Sequence, residues 1–229
     1  MTQDTLNINA GTFTANADNL NISDSLTNKG TLATYGNLNH LTTLNNTNGT
    51  VQIATGKELN VTGDKNLGGT LDLNGQTLNM QEQGETPVAY STLTVNTLKG
   101  AGNLLIDANV NETNKNADKI IYTAVDNAVI NLTNVNVREG FTTHTTDAKD
   151  DYLTVLVNNG TGLNVTFKVN GDTGKTTTQK GYYLYTFEKG STEGTLKVTE
   201  ELNVDVSLKD YITANEKGRL IDTYSFADN

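Results

Sequence analysis

Two adjacent carboxylates, Asp150 and Asp151, head the residues that could do chemistry, because grouped acids cut glycosidic bonds as acid, base or nucleophile. Neighbours in a strand point to opposite faces, so this pair is expected to form an exposed acidic turn and not a catalytic dyad. Arg138 could abstract a proton in the eliminative cleavage of an acidic glycan, yet no cluster of acids accompanies it in the sequence. His40 and His144 are the only histidines, about a hundred positions apart, and a zinc site needs three or four converging ligands. Both are expected at the surface. The segment Asp64-Lys65-Asn66-Leu67-Gly68 puts Lys and Gly where a calcium loop needs oxygen ligands. The stretch Gly171 to Thr178, GDTGKTTT, has Val169 where a phosphate loop needs its first glycine, which leaves a polar hairpin tip. No Gly-x-Ser-x-Gly elbow occurs. No catalytic residue, metal or cofactor is therefore expected, and the chain is read as not an enzyme. One binding candidate remains in the cluster Tyr182, Tyr183 and Tyr185. Tyr183 and Tyr185 share a strand face and could stack on a glycan; the competing reading packs them in the core or over an edge.

The elements that would carry these residues are short strands. Apolar pairs at spacing two recur at Leu6/Ile8, Leu20/Ile22, Val51/Ile53, Leu59/Val61, Leu71/Leu73, Leu78/Met80, Leu93/Val95 and Leu104/Ile106. Gly, Asn and Asp bound them, which is the signature of strands with one buried face. Composition agrees: about thirty Asn and about forty Thr alternate turn formers with strand formers. Asn-Gly between alternating runs would ordinarily give hairpins and an antiparallel sandwich. The units are short for a sandwich and recur at intervals of roughly 10 to 14 residues, so that two or three complete one coil of a solenoid. The spacing favours an all-β parallel β-helix over roughly residues 5 to 137, with Leu59, Leu71 and Leu104 pointing inward.

From about Phe141 the pattern changes to longer alternating strands, at Leu153/Val155/Val157, Leu163/Val165/Phe167/Val169, Tyr183/Tyr185/Phe187, Leu196/Val198 and Leu202/Val204/Val206. Asn158-Asn159-Gly160, Asn170-Gly171 and Lys189-Gly190 are expected as hairpin tips between them. The chain divides accordingly into solenoid coils over 1–140 and a β-rich continuation or cap over 141–229. Ser207 and Asp210 resemble a capping box, which predicts a short helix near 208–213.

The net charge of −10 and a sequence pI near 4.6 argue against a nucleic-acid partner, which needs clustered Lys and Arg. No apolar run is long enough for a helical membrane span, and no signal peptide is visible. The segment after Met1 is already strand-like, so Met1 is expected to be an added start and the chain a trimmed piece of a longer precursor. Cysteine is absent.

Two stretches carry a family resemblance. Leu26 to Met80 reads LTNKGTLATYGNLNHLTTLNNTNGTVQIATGKELNVTGDKNLGGTLDLNGQTLNM, with repeated Asn-x-Gly-Thr-Leu and Gly-x-x-Leu-x-Val cadences. Gly102 to Val125 reads GNLLIDANVNETNKNADKIIYTAV: a Gly-led strand, an Asp, a polar loop, then Ala-Asp-Lys before a further apolar strand. Together they resemble the passenger of a bacterial autotransporter, the type V secretion system, near the end of its right-handed β-helix. The resemblance implies secretion to the cell surface through a β-barrel beyond the C-terminus, at the bacterial outer membrane. It also implies folding outside the cell and a role as an adhesin or display stalk whose partner is a host or neighbouring-cell glycan or protein. The last 90 or so residues fit the passenger cadence poorly, and no barrel-type series of strands occurs within the chain. A tail-fibre segment and a β-helical polysaccharide lyase or hydrolase are the alternative readings.

Overall fold

The computed structural model describes residues 2–14, 21–34, 36–37, 44–82, 90–144 and 146–203. The first coil contributes β1 (Thr2–Ile8) and β2 (Thr12–Thr14). The second contributes β3 (Asn21–Asn28), β4 (Thr31–Thr34) and β5 (Gly36–Asn37), and the third β6 (Leu44–Asn45), β7 (Thr50–Ile53) and β8 (Glu58–Asn60). In the fourth lie β9 (Lys65–Asp72) and β10 (Thr77–Asn79), while β11 (Thr92–Asn109) supplies all of the fifth. The two-residue β12 (Asn116–Ala117) precedes β13 (Lys119–Tyr122) and β14 (Ala124–Glu139) of the sixth coil.

Apart from β12, which pairs antiparallel with the end of β11, each strand lies parallel on the strand one coil earlier. The register is continuous: Thr12, Thr31, Thr50, Thr70, Thr97 and Ala124 stack in one column, and Phe13, Leu32, Val51, Leu71, Leu98 and Val125 in the next. Coils are roughly 20 residues long early and roughly 27 later, so two of the short apolar units make one turn. Because side chains alternate across a strand, the second column faces inward; Leu32, Val51, Leu71 and Leu98 are fully buried. Leu59, Leu71 and Leu104 all point into the core, in parallel ladders as expected. The fold is a parallel β-helix.

The Asn-x-Gly-Thr cadence has a physical cause. Thr31, Thr50 and Thr70 donate their N–H groups to the carbonyls of Gly11, Gly30 and Gly49, one coil back, at 2.8, 2.8 and 2.9 Å. That approach is so close that a Cβ on Gly49 would collide with the Asn28 carbonyl, so only glycine fits. Beside it the buried Asn28 amide donates to Asn46 Oδ1 at 2.7 Å and to the Thr50 carbonyl at 2.9 Å. These bonds satisfy the Asn28 amide and the Thr50 carbonyl in the tight corner, while the buried Asn46 Nδ2 finds no partner there.

Beyond the sixth coil the chain builds two things at once. After β15 (Lys149–Thr154) come β16 (Leu156–Asn158) and β17 (Thr166–Val169), which add parallel strands to β13 and β14. Then β18 (Lys175–Lys180), β19 (Tyr183–Lys189) and β20 (Thr195–Leu202) join β15 in an antiparallel sheet of order β15-β20-β19-β18. The Thr176 hydroxyl donates to the Thr133 carbonyl at 3.2 Å, and the Thr178 hydroxyl to that of Val135, so β18 lies against the stretch of β14 that β17 leaves uncovered.

Three local expectations change here. Lys189-Gly190 does open a hairpin, between β19 and β20. Asn158-Asn159-Gly160 and Asn170-Gly171 are instead solenoid corners, because β16 and β17 each pair with the preceding coil and not with each other. The strand expected from Leu163 begins at Thr166, and Leu163 is 81% exposed. His40 and the helix expected near 208–213 lie outside the described residues. Among those residues no helix is long and apolar enough to cross a membrane.

Candidate functional site

Strand alternation puts Tyr183, Tyr185 and Phe187 on one side of β19, but their surroundings differ. Tyr185 is buried at 1% exposure; its hydroxyl donates to Glu200 Oε1 at 2.7 Å and accepts the Phe141 N–H at 3.3 Å. Burial and the neighbouring Glu200 carboxylate both raise the Tyr185 pKa. A ring enclosed by Phe141 and bonded at its tip has no face for a sugar, so the candidate pair reduces to Tyr183. Tyr183 is half-buried and stacks on His144, with ring centroids 3.9 Å apart and planes 7° from parallel. The imidazole is fixed in turn by Glu200, whose Oε1 lies 2.9 Å from Nδ1. Glu200 already accepts the Tyr185 hydroxyl, so His144 donates to it through Nδ1. His144, Thr146, Tyr183, Glu200, Glu201 and Leu202 line an open depression of about 400 Å³. Leu202 is half-exposed at its edge.

A second polar cluster lies where the fourth, fifth and sixth coils meet. Arg138 Nη2 donates to Asp107 Oδ2 at 2.7 Å and to the Glu82 carbonyl, with both charged side chains almost wholly buried. Asp107 also accepts the Asn136 amide at 2.7 Å and the Glu82 N–H at 2.8 Å. Asp118 accepts the N–H groups of Ser91 and Asp107, each at 2.7 Å and each on a different carboxylate oxygen. Arg138 therefore does have an acidic partner, brought from 31 positions away. That partner consumes it: a guanidinium bonded to a carboxylate stays protonated, and Asp107 raises the Arg138 pKa further. It cannot serve as a base.

Burial pushes the Asp118 carboxyl from 3.8 up to about 7, against the pull of its two N–H donors. A folded-state value above the unfolded one means that the contribution to stability is complete below the unfolded pKa and is lost as the pH rises through about 7. Asp118→Asn, which cannot ionise, is expected to flatten that part of the stability-versus-pH curve in urea unfolding. It should also start lower, because its amide nitrogen cannot accept one of the two N–H groups. An unchanged slope would show that Asp118 stays ionised throughout.

Asp150 and Asp151 are exposed, as expected, but they sit within β15 and fasten a loop. Asp150 accepts the Ser191 N–H at 3.1 Å and its hydroxyl; Asp151 accepts the Thr192 N–H at 2.7 Å and the hydroxyls of Thr192 and Thr195. These bonds hold both carboxyls below the usual range. The glycine-rich stretch is not a hairpin tip either: Gly171–Thr173 forms one 3-10 turn at a coil corner and Lys175 opens β18. Among the described residues no three His, Cys, Asp or Glu side chains converge as metal ligands would.

Spacing alone could not reveal either polar cluster, since their members lie anywhere from 11 to 56 positions apart, at no common offset. One signal was present. Glu200 continues the inward series Leu196, Val198, and a charge at an inward position implies a buried partner.

Residues 69–198, more than half of the chain, match the family model described as Pertactin. No individual curated protein and no solved structure matches. The matched region runs from the fourth coil to the last strand of the antiparallel sheet, and so takes in the quoted Asp-loop-Asp stretch and the part beyond Phe141 as far as residue 198. Ladder, register and family match agree: the chain belongs to the Pertactin family and is an autotransporter passenger domain with a parallel β-helix fold.

Proposed function

We propose that this chain is a rigid, non-catalytic display stalk that holds an adhesive surface away from a bacterial outer membrane. Residues 1–140 are its coils, residues 141–229 their continuation or cap, and a barrel beyond the C-terminus is its anchor. The observation that carries this reading is the unbroken register from Thr12 to Ala124, since a solenoid in which every coil bonds its neighbour resists bending without needing a ligand. Secretion or display at the cell surface is what the family supplies.

The adhesive contact we assign is the depression beside Tyr183, and its partner a glycan of a host or neighbouring cell. Tyr183 offers an aromatic surface steadied by His144, while the exposed Glu201 offers an acceptor for sugar hydroxyls. Purified chain immobilised on beads should bind a glycan array selectively. Tyr183→Ala should weaken the best hit by roughly tenfold, the worth of one aromatic contact. Equal binding by the variant would move the contact elsewhere; no selective binding to any glycan or cell surface would remove the adhesive reading.

A further inference from the structure

The sequence contains four Asn-Gly dipeptides, at Asn48, Asn74, Asn159 and Asn170. Such a bond can rearrange: the glycine nitrogen attacks the Asn side-chain carbonyl carbon and a C–N bond forms. The side-chain amide then leaves as ammonia with the proton taken from the glycine nitrogen, and water opens the succinimide to aspartate or isoaspartate. Two structural conditions govern the rate. The glycine N–H must be able to give up its proton, and the Asn carboxamide must be able to swing onto that nitrogen.

The fold treats the four sites unequally. Gly75 donates its N–H to the Ala101 carbonyl of the next coil at 2.7 Å, while the Asn74 amide is held by the Ile53 carbonyl at 3.0 Å and Thr55 Oγ1 at 3.3 Å. Gly171 donates to Asn131 Oδ1 of the neighbouring coil at 2.8 Å, and the Asn170 amide is held by the Lys175 carbonyl at 3.1 Å. Gly49 is buried and donates its N–H to the Asn46 carbonyl at 3.0 Å, a main-chain acceptor that cannot swing away as a side chain can. Each of these three is restrained by buried groups or by an adjacent coil.

Asn159 differs. The Gly160 N–H is held at 2.8 Å by the side chain of Asn158, a local and half-buried acceptor two residues away. Asn159 itself is exposed, and among the described residues no hydrogen bond fixes its carboxamide. We propose that Asn159 is the site at which the folded chain deamidates, and that the Asn158 side chain is the latch that sets the rate. The consequence is local but structural. Isoaspartate adds a methylene to the main chain at the corner between β16 and β17, where a Cβ on Gly160 would collide with the Thr123 carbonyl of the coil below.

The test is peptide mapping with isoaspartate detection on the full chain, kept folded or unfolded in urea, in mildly alkaline buffer at body temperature. Unfolded chain should convert all four sites at comparable rates. Folded chain should convert Asn159 first, with Asn48, Asn74 and Asn170 slowed several-fold more than Asn159. Asn158→Ala should speed Asn159 several-fold and leave Asn74 unchanged, whereas Asn158→Asp, which keeps the acceptor, should stay near the wild-type rate. If Asn158→Ala unfolds the chain, Asn74 accelerates as well, and the wild-type ranking then decides alone. Another site leading in the folded chain, or a folded Asn158→Ala with an unchanged rate at Asn159, overturns the proposal.

Discussion

Replacing Arg138 with alanine is expected to destabilise the chain by roughly 3–5 kcal/mol, the range for breaking one side of a buried ion pair. The guanidinium sits among three successive coils: its partners are Asp107 of β11 and the carbonyl of Glu82, just after β10, while it springs from β14 itself. Removing it leaves the nearly buried Asp107 carboxylate with hydrogen bonds from Asn136 and Glu82 but no counter-charge. Water cannot easily replace that charge, so the carboxylate must either take up a proton or open the corner. An exposed pair of the same length would contribute about 1 kcal/mol or less, because solvent screens it. Urea unfolding distinguishes the two cases. A control sharpens it: the double variant Arg138→Met with Asp107→Asn removes both charges and should lose much less than Arg138→Ala alone. If Arg138→Ala fell in the range of a surface pair, the corner would be wetter than its geometry implies. The idea that it ties the coils along the stalk would then fail.

The same corner explains why part of this molecule could be read from sequence and part could not. Period-two alternation is local, so Leu59, Leu71 and Leu104 declare their inward direction within three residues of chain. Gly-Thr cadences are local too, since each marks one close approach between coils. What joins Arg138 to Asp107 or Ser91 to Asp118 is the length of a coil, and that length shifts from roughly 20 to roughly 27 residues along the solenoid. With no fixed offset, a charged residue does not reveal its partner. Turn chemistry has a parallel limit. Asn170, with φ of 46°, does turn the chain at Asn170-Gly171, but the residue type does not say whether the next strand returns antiparallel or closes another coil. Tyr183 and Tyr185 show the limit for a site. Their spacing places both on one face, yet only Tyr185 is enclosed, by Phe141 from 44 positions back and by Glu200, which faces it across the β19–β20 hairpin at a register that residue spacing does not state.

Phe187→Ala is expected to cost about 3–5 kcal/mol, and its effect should spread beyond its own sheet. Phe187 is fully buried at the middle of the antiparallel sheet, opposite Thr176 on β18 and Val198 on β20. Truncation leaves a ring-sized cavity beneath β18, the strand whose Thr176 and Thr178 hydroxyls hold the carbonyls of β14. In a solenoid each coil is stabilised only by its neighbours, so loosening the element that covers β14 exposes the sixth coil, and through it the fifth. Leu32→Ala offers the contrast. Leu32 is equally buried, but it lies in an early coil between Val51 and a Phe13 that is only half-buried. Large buried rings concentrate toward the other end, at Tyr122, Phe141, Phe167, Tyr185 and Phe187. Each ring removes more apolar surface from water than a Leu or Val, so the C-terminal half is expected to hold most of the stability. Hydrogen exchange on the intact chain should show the strongest protection in β11, β14 and β19. Leu32→Ala should erase protection only in the first three coils, whereas Phe187→Ala should lower it through β14 and β11 as well. Strongest protection before residue 80, or a Phe187→Ala effect confined to β18, β19 and β20, would make the antiparallel sheet an appendage and place the folding core among the early coils.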